Sequence, residues 1–289
     1  MDWTRHKPHW PHADTSRFVL SKPHKWHVQE SGAGPLVLML HGAGGSTQSY
    51  RHLIPLLTPA HRIIAIDLPG QGFTRLGAQS RCGLADMAQD IAALCAQEGW
   101  APVAIVGHSA GAAVAFELAE RLPAPCPHVI GINAALSTFK GVAGVMFPLM
   151  AKALAMMPGV AGLFTASNGN PRAVQRLIDG TGSRIPAEDL THYGALVSDR
   201  THVNATLQMM AQWDLGPLLS RLPDSNAHGL LIAATNDRAV PFATSRDLAR
   251  RMANMRYSEV EGLGHLLHEE APQRVATLIL DYLAEIPAE

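Results

Sequence analysis

The chain has 289 residues and is 47% hydrophobic, enough for one large α/β domain or for such a domain with an insertion. Its 23 Lys and Arg residues nearly balance 24 Asp and Glu residues, and the net charge of -1 argues against a nucleic-acid partner. Three cysteines without metal-type spacing, Cys82, Cys95 and Cys126, indicate reduced thiols in a cytoplasmic protein. No apolar run suits a signal peptide or a transmembrane helix, so we expect neither.

The first 25 residues are rich in His, Trp, Pro and Lys. His6, His9 and His12 recur at every third residue, which leaves a metal site open as an alternative, but two intervening prolines would interrupt a helix that aligned them. We therefore expect a loop that packs across the domain surface. An edge strand is predicted to follow it over residues 25–29.

Strands and helices then alternate along the chain. Apolar runs over residues 36–40, 62–66 and 103–106 predict strands that are covered on both faces. Apolar residues at helical spacing between Leu84 and Cys95 predict a crossover helix. This β-α-β order predicts an α/β fold with a mostly parallel twisted sheet flanked by helices.

Residues 107–111 read Gly-His-Ser-Ala-Gly and lie between a predicted strand and an Ala-rich helix. This is the G-x-S-x-G nucleophile elbow in its expected strand–turn–helix context, with Ser109 as the nucleophile. A serine at this position indicates acyl transfer, whereas relatives that open epoxides use an aspartate for direct attack on an alkyl carbon. Ester, thioester and amide hydrolysis are the candidate reactions.

A glycine-rich loop, His-Gly-Ala-Gly-Gly-Ser, follows the strand at residues 36–40. Its position predicts one half of an oxyanion hole, with the backbone N–H of Ala43 as the donor. The second donor would be the backbone N–H of Ala110, which follows Ser109. An ordinary glycine-rich connection is the alternative. A phosphate-binding loop fits poorly because no Gly-Lys-Ser/Thr follows.

The alternation stops after a predicted strand at residues 129–133. Residues 134–213 carry helical segments and many methionines but no strand signal, and we expect them to form a helical cap over Ser109. Residues 1–133 and 214–289 would then be the two parts of the core. The methionines have three interpretations: the cap's own core, a flexible apolar pocket wall, or a face that touches a membrane or a partner.

The acid and base of the site are predicted in the last part of the chain, where alternation resumes. Asp237 follows an apolar strand at residues 229–234, and His265 follows the last strand, at residues 256–260. Helices are predicted at residues 243–253 and from Pro272 to Leu283.

The chain order Ser109, Asp237, His265 is typical of this architecture, and the ends of parallel strands meet at one edge of a sheet. Asp214 is a second candidate for the acid, and His268 is expected to be structural.

Further side chains are expected around an apolar substrate: His41, His108, Met146, Met150, Met210, Trp213 and Arg238. Arg238 would pair with a substrate carboxylate or, alternatively, form a surface ion pair. The sequence carries no zinc motif, dinucleotide fingerprint or kinase motif, so we expect no metal and no cofactor.

These motifs resemble the α/β-hydrolase superfamily. Along nearly its whole length the chain also resembles the magnesium chelatase accessory proteins of bacteriochlorophyll biosynthesis. The narrower resemblance is carried by Gly-Ile-Asn-Ala-Ala-Leu at 131–136, Ile-Asp-Gly-Thr-Gly-Ser at 178–183 and Met-Met-Ala-Gln-Trp-Asp-Leu at 209–215. Ala43 and Tyr50 depart from the residues expected there, Thr and Trp, but neither change removes a backbone donor.

The resemblance implies a role near magnesium insertion into protoporphyrin, with a porphyrin or its ester as ligand and magnesium chelatase as partner. A peripheral contact with a membrane stays open. Three functional hypotheses follow. The first is a serine hydrolase of an apolar ester or related acyl compound, and the second is a non-catalytic porphyrin-binding or chelatase-assisting protein on a hydrolase scaffold. The third is an interaction module that docks on the chelatase or a membrane through the cap.

Overall fold

The computed structural model describes residues 1–123, 127–137, 159–168 and 170–286. An eight-stranded sheet has the strand order β1-β2-β4-β3-β5-β6-β7-β8. Strands β3 to β8 pair in parallel, whereas β1 and β2 pair antiparallel, which confirms the mostly parallel α/β sheet. The strands are β1 (Ser16–Ser21), β2 (His24–Ser31), β3 (Leu36–Leu40), β4 (Arg62–Ile66), β5 (Ala104–His108), β6 (His128–Ile132), β7 (Gly229–Ala234) and β8 (Met255–Val260).

Helices lie on both faces of the sheet and between β6 and β7. They are α1 (Trp3–His6), α2 (Ile54–Leu57), α3 (Leu84–Glu98), α4 (Ala110–Ala119), α5 (Val160–Asn168), α6 (Pro171–Gly180), α7 (Ala187–Val197), α8 (Arg200–Ala211), α9 (Gly216–Arg221), α10 (Ala243–Ala249), α11 (Leu267–Glu270) and α12 (Pro272–Ala284). The predicted crossover helix and C-terminal helix are confirmed. The helix predicted at 243–253 ends at Ala249.

Both faces of the central strands are buried, as their continuous apolar sequences predict. In β3, Leu36, Leu38 and Leu40 belong to the core that contains α3 and α4, whereas Val37 and Met39 belong to the core that contains α2 and α12. Successive side chains of a strand point to opposite faces, so each such strand contributes to both cores.

The N-terminal segment differs from the predicted loop because residues 16–21 form β1, which pairs with β2. Before β1, Trp3 and Trp10 each place their ring 4.8 Å from the ring of Phe73 in edge-on contacts. These aromatic contacts fix the segment against the core. Among the described residues, no group of three His, Cys, Asp or Glu side chains is arranged to hold a metal ion.

The helices α5 to α8 follow β6 and precede β7. They have a small core of their own, which includes Val174, Ile178 and Leu190 and extends to Leu266, the residue after His265. The buried Arg51 also ties α7 to α11, because its guanidinium contacts Asp189 at 2.8 Å and Glu269 at 2.6 Å.

The described residues include two of the three cysteines but not two of the methionines predicted for the substrate pocket. Met146, Met150 and Cys126 lie outside the described residues, whereas Cys82 and Cys95 are buried free thiols. No helix within the described ranges has the length and apolar character needed to cross a membrane.

The glycines of the elbow provide a test of this packing. A Cβ at Gly111 would lie 2.1 Å from the carbonyl oxygen of Leu40, inside van der Waals contact, whereas a Cβ at Gly180 would meet nothing within 4 Å. We expect Gly111→Ala to lower the free energy of unfolding by more than about 3 kcal/mol. Gly180→Ala, at the end of α6, should raise it by about 0.5–1 kcal/mol. Urea unfolding monitored by circular dichroism measures both, and a Gly111→Ala protein as stable as wild type would contradict this packing.

Candidate active site

Ser109 lies in the turn between β5 and α4 with the backbone angles φ 52 and ψ -118. Positive φ is strained for a residue with a Cβ, and strain of this kind is typical of a nucleophile elbow. The turn is held by hydrogen bonds from the Ser109 N–H to the Ile132 carbonyl at 2.9 Å and from the Ala135 N–H to the Ser109 carbonyl at 3.0 Å. The flanking Gly107 admits no side chain, because a Cβ there would lie 2.4 Å from the Gly111 carbonyl oxygen.

Asp237 and His265 form a hydrogen-bonded pair beyond the ends of β7 and β8. The distance between His265 Nδ1 and Asp237 Oδ2 is 2.7 Å, and the two side chains are 10% and 0% exposed. The other carboxylate oxygen of Asp237 accepts hydrogen bonds from the N–H groups of Ala239 and Val240, both at 2.8 Å. The turn after β7 therefore orients the carboxylate toward the imidazole.

The backbone of His265 is fixed by side chains from the elbow and from the end of β6. Its carbonyl oxygen accepts hydrogen bonds from Asn133 Nδ2 at 2.8 Å and from His108 Nε2 at 2.9 Å. The Asn133 Oδ1 accepts the N–H of Ala234 at 2.8 Å, so Asn133 joins the ends of β6 and β7 to the histidine turn. The His108 and His265 rings lie 4.7 Å apart.

The connection between α6 and α7 also contacts both the acid turn and the base turn. The Thr181 carbonyl accepts the N–H groups of Arg238 at 3.0 Å and of His265 at 3.3 Å. The buried Ser183 Oγ accepts the N–H of Leu266 at 2.7 Å. The motif at residues 178–183 thus supports the turns of Asp237 and His265 from outside the sheet.

The loop at residues 41–45 lies directly against the elbow, since a Cβ at Gly42 would be 3.1 Å from the Ser109 Cβ. The Gly45 N–H donates to the Gly42 carbonyl at 3.0 Å and closes a turn with Ala43 at its corner. Ala110 is the first residue of α4. Over the ranges that the structure describes, neither the Ala43 N–H nor the Ala110 N–H donates a hydrogen bond. Two donors are therefore available beside Ser109.

The residues predicted for the substrate pocket are only partly brought together. His41 is fully buried, with its Nε2 accepting the Leu68 N–H and its Nδ1–H donating to the Gly42 carbonyl, so it holds the loop and presents no polar atom to a ligand. His108 is likewise buried, with its Nε2 bound to the His265 carbonyl. Met210 and Trp213 are half-buried.

Arg238 is exposed and lines a polar cleft of about 990 Å³ together with Arg184 and Glu270; Ser109 and His265 are not among the described residues that line it.

The two alternatives for acid and base have other partners. The Asp214 Oδ1 accepts the N–H of Gly216 at 2.9 Å at the start of α9, and the residue is exposed. His268 is fully buried, and its Nε2 lies 2.8 Å from Ser49 Oγ. Both contacts are structural.

Asn133, Thr181, Ser183, Gln71 and His202 were not predicted as site residues. The motifs at 131–136 and 178–183 signalled the first three only as a resemblance. Gln71 lies in a stretch at residues 67–74 that also carries the resemblance, whereas His202 had no local signal because its partners lie 158 and 130 residues away in the chain.

A profile of the Alpha/beta hydrolase family matches residues 37–278 of the chain, and the protein therefore belongs to this family. Over 276 residues it is 44% identical to the protein of Rhodobacter capsulatus named Magnesium-chelatase 30 kDa subunit. That alignment covers 95% of this chain and 96% of the relative, which confirms the narrower resemblance.

Solved structures share the fold. An α/β-hydrolase-fold protein from Burkholderia ambifaria has a TM-score of 0.76 at 21% identity, with 93% of this chain and 98% of that chain covered. An esterase from Exiguobacterium antarcticum has a TM-score of 0.77 at 19% identity, with 93% and 99% covered. The fold class predicted from the sequence is confirmed.

Buried histidines around the site predict a specific pH dependence of stability. Burial lowers the pKa of His202 to about 4 and that of His268 to about 3. Both are neutral in the folded protein, whereas in the unfolded chain they gain a proton below about pH 6.5. The unfolded state thus binds more protons between about pH 6.5 and pH 4. In this window the free energy of unfolding falls with falling pH, by up to about 1.4 kcal/mol per pH unit for each histidine.

Urea unfolding at pH 7, 6 and 5 measures this effect. His268→Gln should flatten the pH dependence relative to wild type, while His9→Gln, which replaces an exposed histidine, should leave it unchanged. Equal slopes for His268→Gln and wild type would exclude His268 as a source of acid sensitivity.

Proposed function

We propose that the protein is a serine hydrolase that forms an acyl-enzyme at Ser109. The observation that carries the proposal is the 2.7 Å contact between His265 Nδ1 and the enclosed Asp237 carboxylate, at the same edge of the sheet as the strained Ser109 turn. A serine hydroxyl is a weak nucleophile at neutral pH and needs an adjacent base. The Asp237 carboxylate holds the proton on Nδ1, which leaves Nε2 of His265 free to act as that base.

The proposed reaction is acyl transfer through Ser109. The Ser109 Oγ attacks the acyl carbon while its proton passes to His265 Nε2, and the N–H groups of Ala43 and Ala110 donate to the oxyanion. Collapse of the tetrahedral intermediate breaks the bond to the leaving group, which takes the proton from His265. A water molecule then attacks the acyl-enzyme by the same route and releases the acid.

We propose further that residues 134–213 act as a cap and that the substrate is an apolar ester or related acyl compound. The support is the position of α8, which contacts the candidate oxyanion loop: a Cβ at Gly44 would lie 3.6 Å from Thr206 Cγ2. Met210 on α8 and Trp213 just after it are half-buried, and Trp213 packs against the core that contains α3 and α4. The proposed reaction needs no metal ion, because the serine is the nucleophile, the histidine moves the proton and the backbone amides stabilise the oxyanion.

Labelling with a fluorophosphonate probe tests the hydrolase proposal. We expect wild type to label at Ser109, Ser109→Ala to remain unlabelled, and Asp237→Asn to react about 10⁴-fold more slowly because the imidazole loses its orienting carboxylate. Asp214→Asn, which alters the other carboxylate considered as the acid, is the matched control and should react like wild type. Intact-mass spectrometry measures the rates, and absence of labelling in folded wild-type protein would exclude the proposal.

A second candidate function is porphyrin binding in support of magnesium chelatase. It is favoured by the 44% identity to a relative named as a subunit of that enzyme, across nearly all of both chains. Under this candidate the ligand is protoporphyrin or its ester, the partner is the chelatase, and the hydrolase scaffold serves as a carrier.

Titration with protoporphyrin and with its magnesium complex tests this candidate. We expect a shift of the Soret band at micromolar pigment that Ser109→Ala retains, since binding to the cap region does not require the nucleophile. A Soret band that stays unshifted for both pigments would exclude direct porphyrin binding.

A further inference from the structure

Gly44, in the candidate oxyanion loop, is held at both of its backbone polar groups. Its N–H donates to Gln71 Oε1 at 2.7 Å, and its carbonyl accepts from His202 Nε2 at 3.1 Å. Gly44 has φ 74, a conformation that favours glycine, and it directly follows Ala43. The Ala43 N–H belongs to the peptide group that also carries the Gly42 carbonyl. That carbonyl accepts the Gly45 N–H at 3.0 Å, and the Gly45 N–H shares its peptide group with the Gly44 carbonyl, so one hydrogen bond links the peptide held by His202 to the peptide that carries the Ala43 N–H.

The hydrogen-bond pattern of His202 defines its tautomer. The Nδ1 of His202 accepts the N–H of Gly72 at 3.0 Å, so the ring proton of the neutral imidazole lies on Nε2, where it donates to the Gly44 carbonyl. The side chain is 2% exposed, and burial lowers its pKa to about 4, which keeps the ring neutral near pH 7. A neutral imidazole in this tautomer satisfies one donor and one acceptor at once.

The contact originates on one face of α8. His202 and Met209, seven residues apart, lie on one side of an α-helix together with Thr206. Thr206 lies beside Gly44, and the Met209 sulfur accepts a hydrogen bond from Gln71 Nε2 at 3.2 Å. The Asp199 side chain caps the N-terminus of α8 by accepting the His202 N–H at 2.9 Å. This face of α8 thus supplies His202 and contacts Gln71, the two side chains that hold Gly44.

We propose that His202 is a positioning residue for the oxyanion hole: by holding the Gly44–Gly45 peptide group, whose N–H donates to the Gly42 carbonyl, it directs the Ala43 N–H together with His41. This inference rests on the proposed hydrolase function, which it extends by making the segment between β6 and β7 part of the catalytic apparatus. His202 contacts no reacting atom. A donor that is present but misdirected stabilises the oxyanion poorly, because the geometry must suit the transition state.

Three substitutions separate positioning from plain structural support. His202→Gln keeps an N–H that reaches the Gly44 carbonyl, His202→Asn keeps an acceptor for the Gly72 N–H but not that donor, and His202→Phe keeps the ring volume and removes both. With p-nitrophenyl butyrate as the probe substrate, we expect His202→Gln to stay within about 3-fold of the wild-type kcat. His202→Asn and His202→Phe should lose about 10- to 100-fold in kcat with KM changed less than about 3-fold, below the loss typical of deleting an oxyanion donor outright.

Amide hydrogen exchange over residues 41–45 gives a readout that does not depend on turnover. Faster exchange in the asparagine and phenylalanine variants, with near wild-type exchange in the glutamine variant, is the expected result. Should the asparagine variant fail to fold by circular dichroism, the phenylalanine variant takes its place.

The outcomes distinguish the two proposals. An active wild type whose three variants share its kcat overturns the role of His202 and leaves the hydrolase proposal intact. A wild type that neither hydrolyses the ester nor labels with fluorophosphonate overturns the hydrolase proposal. In that case, equal amide exchange over residues 41–45 in the wild type and all three variants also overturns the contact of His202 with the loop. Faster exchange in the asparagine and phenylalanine variants alone supports that contact.

Discussion

The architecture of the site depends on the close contact between the start of α4 and the end of β3. No side chain fits at Gly111, whose Cβ would lie 2.1 Å from the Leu40 carbonyl oxygen, and this approach brings Ala110 beside the loop that contains Ala43. The preceding Ser109 has a positive φ, which costs about 1–3 kcal/mol. Burial of every residue of α4 offsets that cost, so the core of the fold stabilises the conformation that the nucleophile needs.

The segment between β6 and β7 supports the site from two directions. On one side, Thr181 and Ser183 hold the backbone of the acid and base turns. On the other side, α8 holds the candidate oxyanion loop through His202. The buried contacts of Arg51 with Asp189 and Glu269 tie α7 to the core between these two regions. These buried polar contacts favour a single arrangement of the loops around Ser109, Asp237 and His265.

The sequence was informative where local patterns determine structure. Continuous apolar runs identified β3, β4 and β7, because strands buried on both faces need apolar residues at every position. The strand β1 was not predicted because it lies at the edge of the sheet, with mixed burial and an exposed Leu20. Its sequence therefore shows neither a continuous apolar run nor a clear alternation of apolar and polar residues. His202 was missed because its role comes from partners at Gly44 and Gly72, which only the folded chain brings near.

The similarity to a chelatase subunit concerns the partner of the protein, whereas the geometry around Ser109 concerns its chemistry. Neither a fold nor the name of a relative determines that chemistry. A surface that only binds pigment or docks on a partner has no need for a strained serine, nor for an enclosed carboxylate aimed at a histidine. Each of these features costs free energy that the surrounding structure must offset. Ser109 at φ 52 and the Asp237–His265 pair therefore support the proposed acyl chemistry more than they support the proposed binding function.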